Sequence, residues 1–507
     1  MRTRRTLYNS FAGLFYYAVT ILLGIVNRKV VIEILGIEYQ GINGLFSNVL
    51  SMLSIAELGI GTAIIYHLYG PIRENNIPAI RSLMQFYKKC YMVIAGIIAC
   101  LGVGLIPVLP YIVAENTLPY SLAELYIWFL LDAVVSYLFT YKRSIMIADQ
   151  KNYMVIGCDL VYQLVVKLGQ IAVLFLTHNF ICYLIVMAVT RIAENLFLNA
   201  LSERMYPFLR EKDAAPVSRE LLEDIKQKVR GMIFHKIGSF VVLGTDNLLI
   251  SKFLGLRMVG IYSNYHLIIN AIKNICTQVV TAATASVGQL LTEGNREKSY
   301  EIFMEMQVFN TGLIHCAAVG IYCTATPLIS LVFGEEFTLS KGTLLVLAFN
   351  FYIQGLRNVF GIFKEAAGIL YEDRFVPVIE STVNLVLSLI FLRYFGIAGV
   401  FMGTIASTCI IFGYTYPFLV YKKIFARSLR GYFTELAWPL LLLSVSLYCS
   451  GRLSEIFLHQ NLYGQVAANI LIAVAVSTAT FLGLYAVHHR ESRMLVQRFL
   501  KIIKREK

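Results

Sequence analysis

Residues 86–113 read FYKKCYMVIAGIIACLGVGLIPVLPYIV. Beyond Lys88 and Lys89 the stretch runs for 24 residues without a charge. A helix of that length reaches roughly 36 Å at ~1.5 Å per residue, enough to cross a hydrocarbon core of about 30 Å. Similar runs recur from Tyr8 to Val487 and set the composition of the whole chain of 507 residues. Hydrophobic residues make up 57% and charged ones 15%, whereas a soluble domain carries about 25% charged residues. In lipid each run must satisfy its own backbone hydrogen bonds, which makes it helical. The fold class is therefore an all-α polytopic membrane protein.

Fourteen spans are expected, at 8–34, 42–69, 86–113, 120–141, 153–176, 180–203, 231–251, 259–290, 301–333, 342–363, 375–392, 397–420, 432–450 and 463–487. Loop charge orients them. Of 44 Lys and Arg, 32 fall on the side that holds both termini, 7 on the other side and 5 within spans. Basic loops stay cytoplasmic, so both termini are expected inside a bacterial cytoplasmic membrane. The first run follows Arg2, Arg4 and Arg5 and continues past Val26 without a small-residue cleavage site, unlike a signal peptide. The net charge of +13 reads as these basic loops, not as a nucleic-acid surface. Nine scattered Cys with no CxxC pair read as small buried hydrophobes, and no metal or cofactor is implied.

Two cytoplasmic features punctuate the spans. Leu221, Leu222, Ile225 and Val229 recur at helical spacing in the longest polar stretch, predicting an amphipathic linker helix on the membrane surface. Ile80, Leu83, Met84, Tyr87 and Tyr91 predict a similar elbow before the third span.

A shift of 219 residues aligns the two halves. Leu35-Gly36 falls on Leu254-Gly255, Gly41-Ile42 on Gly260-Ile261, Thr62-Ala63 on Thr281-Ala282, and Glu74 and Asn76 on Glu293 and Asn295. Each half holds six spans, so the repeats are parallel. Parallel lobes of this kind bind substrate between them and rock for alternating access. The resulting organisation is an N-terminal six-helix lobe (1–207), a linker (208–230), a C-terminal six-helix lobe (231–424), two extra helices (425–489) and a basic tail (490–507).

No GxxxxGK[ST], HExxH or GxSxG motif is present, and the outer loops are too short for a membrane-bound polymerase or ligase domain. A transporter is expected rather than an enzyme, with no catalytic residues. Its candidate residues are charges inside spans. A charge at mid-bilayer costs at least ~2.5–3.5 kcal/mol on insertion scales, so each must face a wet cavity or a partner. Lys167, Arg191, Lys236, Lys273 and Arg357 are basic; Glu57, Asp132, Asp159, Glu194, Asp246 and Glu380 are acidic. Arg191 and Glu194, spaced i,i+3, can pair on one helix. The 219 shift places Asn27-Arg28 on Asp246-Asn247 and Tyr16-Tyr17 on His235-Lys236, as expected if the first helix of each half lines one cavity. His235 titrates in a range suited to proton coupling. Several bases suit an anionic cargo, whereas an organic cation would favour an acidic cavity. Tyr39, Trp128, Tyr262 and Tyr265 fit sugar stacking, although an interfacial aromatic belt accounts for most such residues.

The chain resembles bacterial oligosaccharide flippases of the polysaccharide-biosynthesis family, within the multidrug/oligosaccharidyl-lipid/polysaccharide exporter superfamily. The resemblance rests on NSFAGLF (9–15), LGIEYQGINGLFSNVLSMLSIAELGIGTAI (35–64), ADQKNY (148–153), FHKIG (234–238), GTDNLLIS (244–251), GIYSNY (260–265) and GILYEDRFVPVIESTVNLVLS (368–388). It implies two six-helix lobes around a cavity and two C-terminal helices. It also implies movement of undecaprenyl-pyrophosphate-linked oligosaccharide to the outer leaflet for capsule, O-antigen or exopolysaccharide assembly. Coupling to H+, Na+ or the membrane potential is implied, as are a polymerase and glycosyltransferases as pathway partners. The resemblance carries the cavity role onto Arg28, Glu57, His235, Lys236, Asp246 and Asn247; Lys167, Arg191, Lys273 and Arg357 rest on the intramembrane-charge argument alone. A peptidoglycan-precursor flippase and a cation-coupled multidrug exporter share this architecture and stand as alternatives.

Overall fold

The computed structural model describes residues 2–57, 60–113, 116–211, 215–281, 283–369, 372–457 and 461–485, without the side chains of 2–12, 14, 55, 56, 62, 63, 139, 227–243, 285, 484 and 485. The basic tail expected at 490–507 lies outside the described residues. The described residues are helical, with short turns between. The helices are α1 (Arg2–Ile34), α2 (Ile37–Leu53), α3 (Ile60–Arg73), α4 (Ile77–Leu105), α5 (Leu109–Ile112), α6 (Leu122–Ala148), α7 (Asn152–Thr177), α8 (Phe180–Met205), α9 (Arg219–Thr281), α10 (Thr284–Thr292), α11 (Arg296–Phe333), α12 (Lys341–Ala366), α13 (Val376–Phe395), α14 (Ile397–Ile410), α15 (Leu429–Ile456) and α16 (Leu462–Thr480). Side chains at their starts accept the first free amide hydrogens: Asn76, Ser121, Asn179, Asn295, Ser340, Ser428 and Asn461 each cap a helix, as short polar residues do at N-termini.

Among the described residues, 11 helices are long and apolar enough to cross a membrane, or 12 when the bent pair Leu122–Leu138 and Thr140–Ala148, angled by 43°, is taken as one span. The chain is thus a multi-pass membrane protein. Three of the fourteen expected spans depart from simple, separate rods. The run at 42–69 breaks into α2, a 3-10 turn at Ser54–Glu57 and α3. The runs at 231–251 and 259–290 have no loop between them; they join at a bend on Gly255 (φ 81°) within α9.

The linker and elbow also differ from expectation. The helix that begins at Arg219 passes without interruption into the seventh span, so it is not a separate surface helix. Ile225 on it is buried, while Val229 lies outside the described side chains. Ile80, Leu83, Met84, Tyr87 and Tyr91 sit on a continuous α4 and are at most 5% exposed; they are core, not a membrane-surface stripe.

Two compact units emerge, Met1–Gly260 and Ile261–Lys507. In the first, α7 packs between α1 and α8, α8 packs on α6, and α6 on α4. In the second, α11 packs against α12, α15 and α16, and α13 forms a tight hairpin with α14.

The repeat is written into the backbone. Gly36 (φ 112°) and Gly255 (φ 81°), 219 residues apart, both take a conformation that disfavours side chains. Asn75 (φ 52°) and Gly294 (φ 72°) repeat the pattern, and the following Asn76 and Asn295 cap α4 and α11 by the same bond to the third residue on. Later turns keep the correspondence with one residue lost: Gln150 matches Gly368 and His178 matches Gly396, all at positive φ. Within the first unit, a Cβ on Gly41 would strike the carbonyl of Leu256, and one on Gly260 would strike the carbonyl of Ile37. The 219 shift carries each half of this contact onto the other.

Candidate functional site

A connected set of polar side chains fills the middle of the first unit. On α7, Asp159, Tyr162, Val166, Lys167 and Gln170 fall at helical spacing on one side. On α8, Tyr183, Arg191, Glu194 and Asn195 do the same, and α6 brings Asp132 and Arg143. These groups form a chain of alternating charge. Arg143 bonds Asp159 Oδ1 through Nη1 (2.7 Å) and Glu194 Oε1 through Nη2 (2.6 Å). Glu194 Oε2 accepts from Arg191 Nη1 (2.8 Å), and Arg191 Nε reaches Asp132 Oδ1 (3.1 Å). The Arg191 guanidinium lies 4.2 Å over the ring of Tyr162, a cation–π contact strengthened by desolvation. Asp132 and Arg143 are eleven residues apart, so the network runs roughly 16 Å along the helix axes at ~1.5 Å per residue.

Above this network lies a second group. Asn27 on α1 accepts from the Tyr183 hydroxyl (2.9 Å) and donates to Gln170 Oε1 (3.5 Å). Lys167 Nζ donates to the same Gln170 oxygen (3.3 Å) and feels the charges of Arg28, Asp132 and Arg191. Tyr16, on the same helix α1, hydrogen-bonds Gln163 and faces Asp159. Among the described residues the whole assembly holds four bases (Arg28, Arg143, Lys167, Arg191) and three acids (Asp132, Asp159, Glu194). Bases thus outnumber acids by one in this set.

The other candidates separate into distinct places. Glu57 accepts from the Tyr91 hydroxyl (2.6 Å), which adjoins Tyr87 (3.3 Å) and through it Ser144 (3.0 Å); the basic cluster does not include it. Asp246 Oδ1 and Asn247 Oδ1 are buried with no hydrogen-bond partner among the described residues, an arrangement that suits a proton or a cation. The side chains of His235 and Lys236 lie outside the described residues. In the second unit, Arg357 forms a bidentate pair with Glu380 (2.8 and 3.3 Å) and reaches Gln354 (3.1 Å). Gln354 and Glu380 both meet Thr408 (2.9 and 3.4 Å), which closes the site. Lys273 stands exposed on α9, with no ion pair among the described residues, and feels Arg357.

Arg143 and Gln170 escaped the sequence reading. Two adjacent charges, Lys142 and Arg143, mark the end of a span, yet α6 continues to Ala148. Tyr141, Ile145 and Ala148, buried at helical spacing, carried the signal for those roughly two extra turns. Lys142 itself is neutralised by Glu203 (2.6 Å) and Asn199.

Residues 41–342, more than half of the chain, match a family described as "Polysaccharide biosynthesis protein". The chain belongs to this polysaccharide biosynthesis protein family. Solved structures give the family member its fold neighbours. A lipid II flippase, MurJ, in an inward closed conformation is 12% identical with a TM-score of 0.66, covering 95% of this chain and 99% of the other. An inward-facing multidrug resistance MATE transporter is 13% identical with a TM-score of 0.59, covering 84% and 95%. The Vibrio cholerae MATE transporter VcmN, in a mutant form, is 14% identical with a TM-score of 0.56, covering 85% and 98%. At such identities the likeness concerns the fold. No curated protein matches the family member at a significant level. The chain thus shares the fold of these transporters.

Proposed function

We propose that the protein flips a polyprenyl-pyrophosphate-linked oligosaccharide from the cytoplasmic to the outer leaflet, by alternating access between two parallel lobes. The carrying observation is the set of bases on α1, α6, α7 and α8, among them Lys167, inside the first unit of a polysaccharide biosynthesis protein. Guanidinium and ammonium groups pair with phosphate oxygens, and within a bilayer their desolvation cost makes an anionic partner the favourable occupant. Within the second unit, Arg357 is held by Glu380 and serves structure. Lys236 and His235, whose side chains lie outside the described residues, are kept as cavity candidates on the sequence repeat alone.

Asp246 and Asn247 are the coupling groups in this reading. Their orphan oxygens would take up a proton or Na+, and the resulting change of charge would bias the lobes between two states. The basic loops support both termini in the cytoplasm, with fourteen membrane passages once the bent pair at 122–148, the broken run at 42–69 and the bend at Gly255 are counted as crossings. Polymerase and glycosyltransferases of the same pathway would act on either side of the step. A multidrug exporter of the same fold is disfavoured because a basic cavity repels organic cations; a peptidoglycan-precursor flippase shares the anionic head and differs in the glycan.

Depletion in cells tests the reading. Lipid-linked glycan should stop reaching the outer leaflet while its cytoplasmic pool grows; unchanged outer-leaflet appearance would overturn the assignment. Arg28→Ala and Lys236→Ala should block export while the protein still inserts.

A further inference from the structure

Alternating access between two six-span lobes leaves α15 and α16 without a task. With α11 and α12 they enclose a pocket of about 600 Å³ inside the second unit, within the ~300–1,000 Å³ of small-ligand sites. Its interior is neutral and polar. Tyr322, Thr326 and Ser330 on α11 and Ser454 on α15 bring hydroxyls, and Gln465 and Asn469 on α16 bring amides. Asn469, only 3% exposed, is fixed in place: Nδ2 donates to the Cys323 carbonyl (2.7 Å) and Oδ1 accepts from Gln465 Nε2 (3.0 Å). Glycine at 451 leaves the Tyr322 phenol uncovered, since a Cβ there would lie 3.1 Å from the hydroxyl oxygen. Charge is confined to the helix ends. Lys341, the first residue of α12, pairs with Glu455 near the end of α15 (3.0 Å), and these side chains are 77% and 49% exposed. Glu335, in the turn after α11, is exposed as well. Tyr322 lies eleven residues before the end of α11, so the pocket reaches roughly 16 Å along the helices at ~1.5 Å per residue. Segments 334–340 and 457–461 contain no Lys or Arg, which puts this end on the outer side in the orientation argued above.

We propose that this pocket binds neutral sugar units of the cargo after they have crossed, at the outer end of the second unit. The inference rests on the flippase reading and its orientation, and it adds a site apart from the charged network of the first unit. The lining selects its occupant by elimination. A phosphate would find its one base, Lys341, already matched by Glu455, and Glu335 would repel it. An organic cation would leave water for an interior that holds no carboxylate. An acyl chain would strip water from the hydroxyls and amides and return no hydrogen bond. Sugar hydroxyls donate and accept at once, as do the hydroxyl and amide side chains that meet them, so a saccharide replaces water bond for bond. The Tyr322 ring, Pro327 and Leu344 add apolar lining for the C–H faces of a sugar ring. The Asn469 amide is oriented before any ligand arrives, which lowers the ordering cost of binding. A glycan held there is kept from re-entering the transport path and is presented to whatever acts on it outside.

The test uses the full chain in lipid nanodiscs, with saturation-transfer NMR as the readout. The probe is the soluble repeat-unit oligosaccharide released by mild acid from the producing cell's own surface glycan. Wild-type protein should transfer saturation to the probe, and neither inorganic pyrophosphate nor tetraphenylphosphonium should compete. Tyr322→Phe, which removes a single hydroxyl, should raise Kd about tenfold, the equivalent of ~1.4 kcal/mol. Gly451→Leu, which covers that hydroxyl and fills the space, should abolish the signal. Leucine favours a helix over glycine and phenylalanine keeps the ring, so the thermal midpoint should hold in both variants. Absence of signal from wild type overturns the assignment, as does equal signal from wild type and both variants, or displacement by pyrophosphate or by the organic cation. If the variants lose the probe but depletion leaves outer-leaflet glycan unchanged, the pocket stands as a saccharide site and the flippase reading falls. Equal signal in the variants together with a depletion defect removes the pocket and leaves the flippase reading in place.

Discussion

The two units carry buried arginines on one repeated scaffold and use them differently. In the first, Arg143 and Arg191 share Glu194 and extend to Asp132 and Asp159, and the assembly keeps a positive surplus. In the second, Arg357 meets Glu380 through two bonds, with Gln354 and Thr408 completing the shell. One arrangement is a network in which one acid serves two arginines, and the other is a single bidentate pair. A basic residue in a span is therefore a poor indicator of binding by itself; what matters is whether its charge has been matched locally. Buried pairs add little net stability but are costly to break on one side, so both arrangements are constraints on sequence.

Glu194→Ala should have the largest effect. It leaves two guanidinium groups facing each other, and thermal unfolding in detergent should show a loss of about 3–5 kcal/mol. Retained stability would mean that the network is dispensable and would dissolve the contrast. Glu380→Ala should follow, near ~3 kcal/mol, because Gln354 still satisfies part of Arg357; a larger loss than for Glu194 would invert the ranking. Lys167→Ala should leave stability almost unchanged but lower outer-leaflet delivery of glycan about a hundredfold, ~2.7 kcal/mol in the transition state, while Lys273→Ala should fall well short of that. Equal defects would place cargo contacts evenly in both units. Gly41→Ala and Gly260→Ala each drive a methyl into a carbonyl and should cost about 1–3 kcal/mol as overpacking, with similar midpoint shifts because the contact is reciprocal. Asn76→Ala and Asn295→Ala should be smallest and equal, ~1 kcal/mol each for a lost helix cap; a clear inequality would show that the two elbows are not equivalent.

Most of the fold was legible because bilayer thickness and backbone hydrogen bonding leave few options for a long apolar run. The departures occurred where apolarity is silent about direction. Nothing in the hydropathy of 42–69 marks a break at Ser54–Glu57, and a bend at Gly255 needs no polar loop. The linker looked like a surface helix because polar residues surround its apolar stripe, yet Ile225 is used in packing. At the site, Lys167, Arg191 and Asn27 stood out as polar groups in apolar surroundings, and the i,i+3 pairing of Arg191 with Glu194 followed from helix geometry. What could not be read was matching across helices. The distance from Arg357 to Glu380 spans 23 residues and that from Arg143 to Glu194 spans 51; no local pattern encodes either. Arg143 was hidden for a second reason, since charge density at 142–143 imitates a membrane boundary.

The glycine contact has a historical consequence. Gly41 lies against Leu256 and Gly260 lies against Ile37, so each partner in the contact is the repeat equivalent of the other. A half-length ancestor with glycine at that one position would have made the same contact twice with its own copy, in the self-complementary manner of a symmetric homodimer. Duplication of such a half would turn an assembly interface into an internal seam. Once fused, the copies no longer had to be identical, and that freedom let one half keep its surplus charge while the other sealed its arginine away.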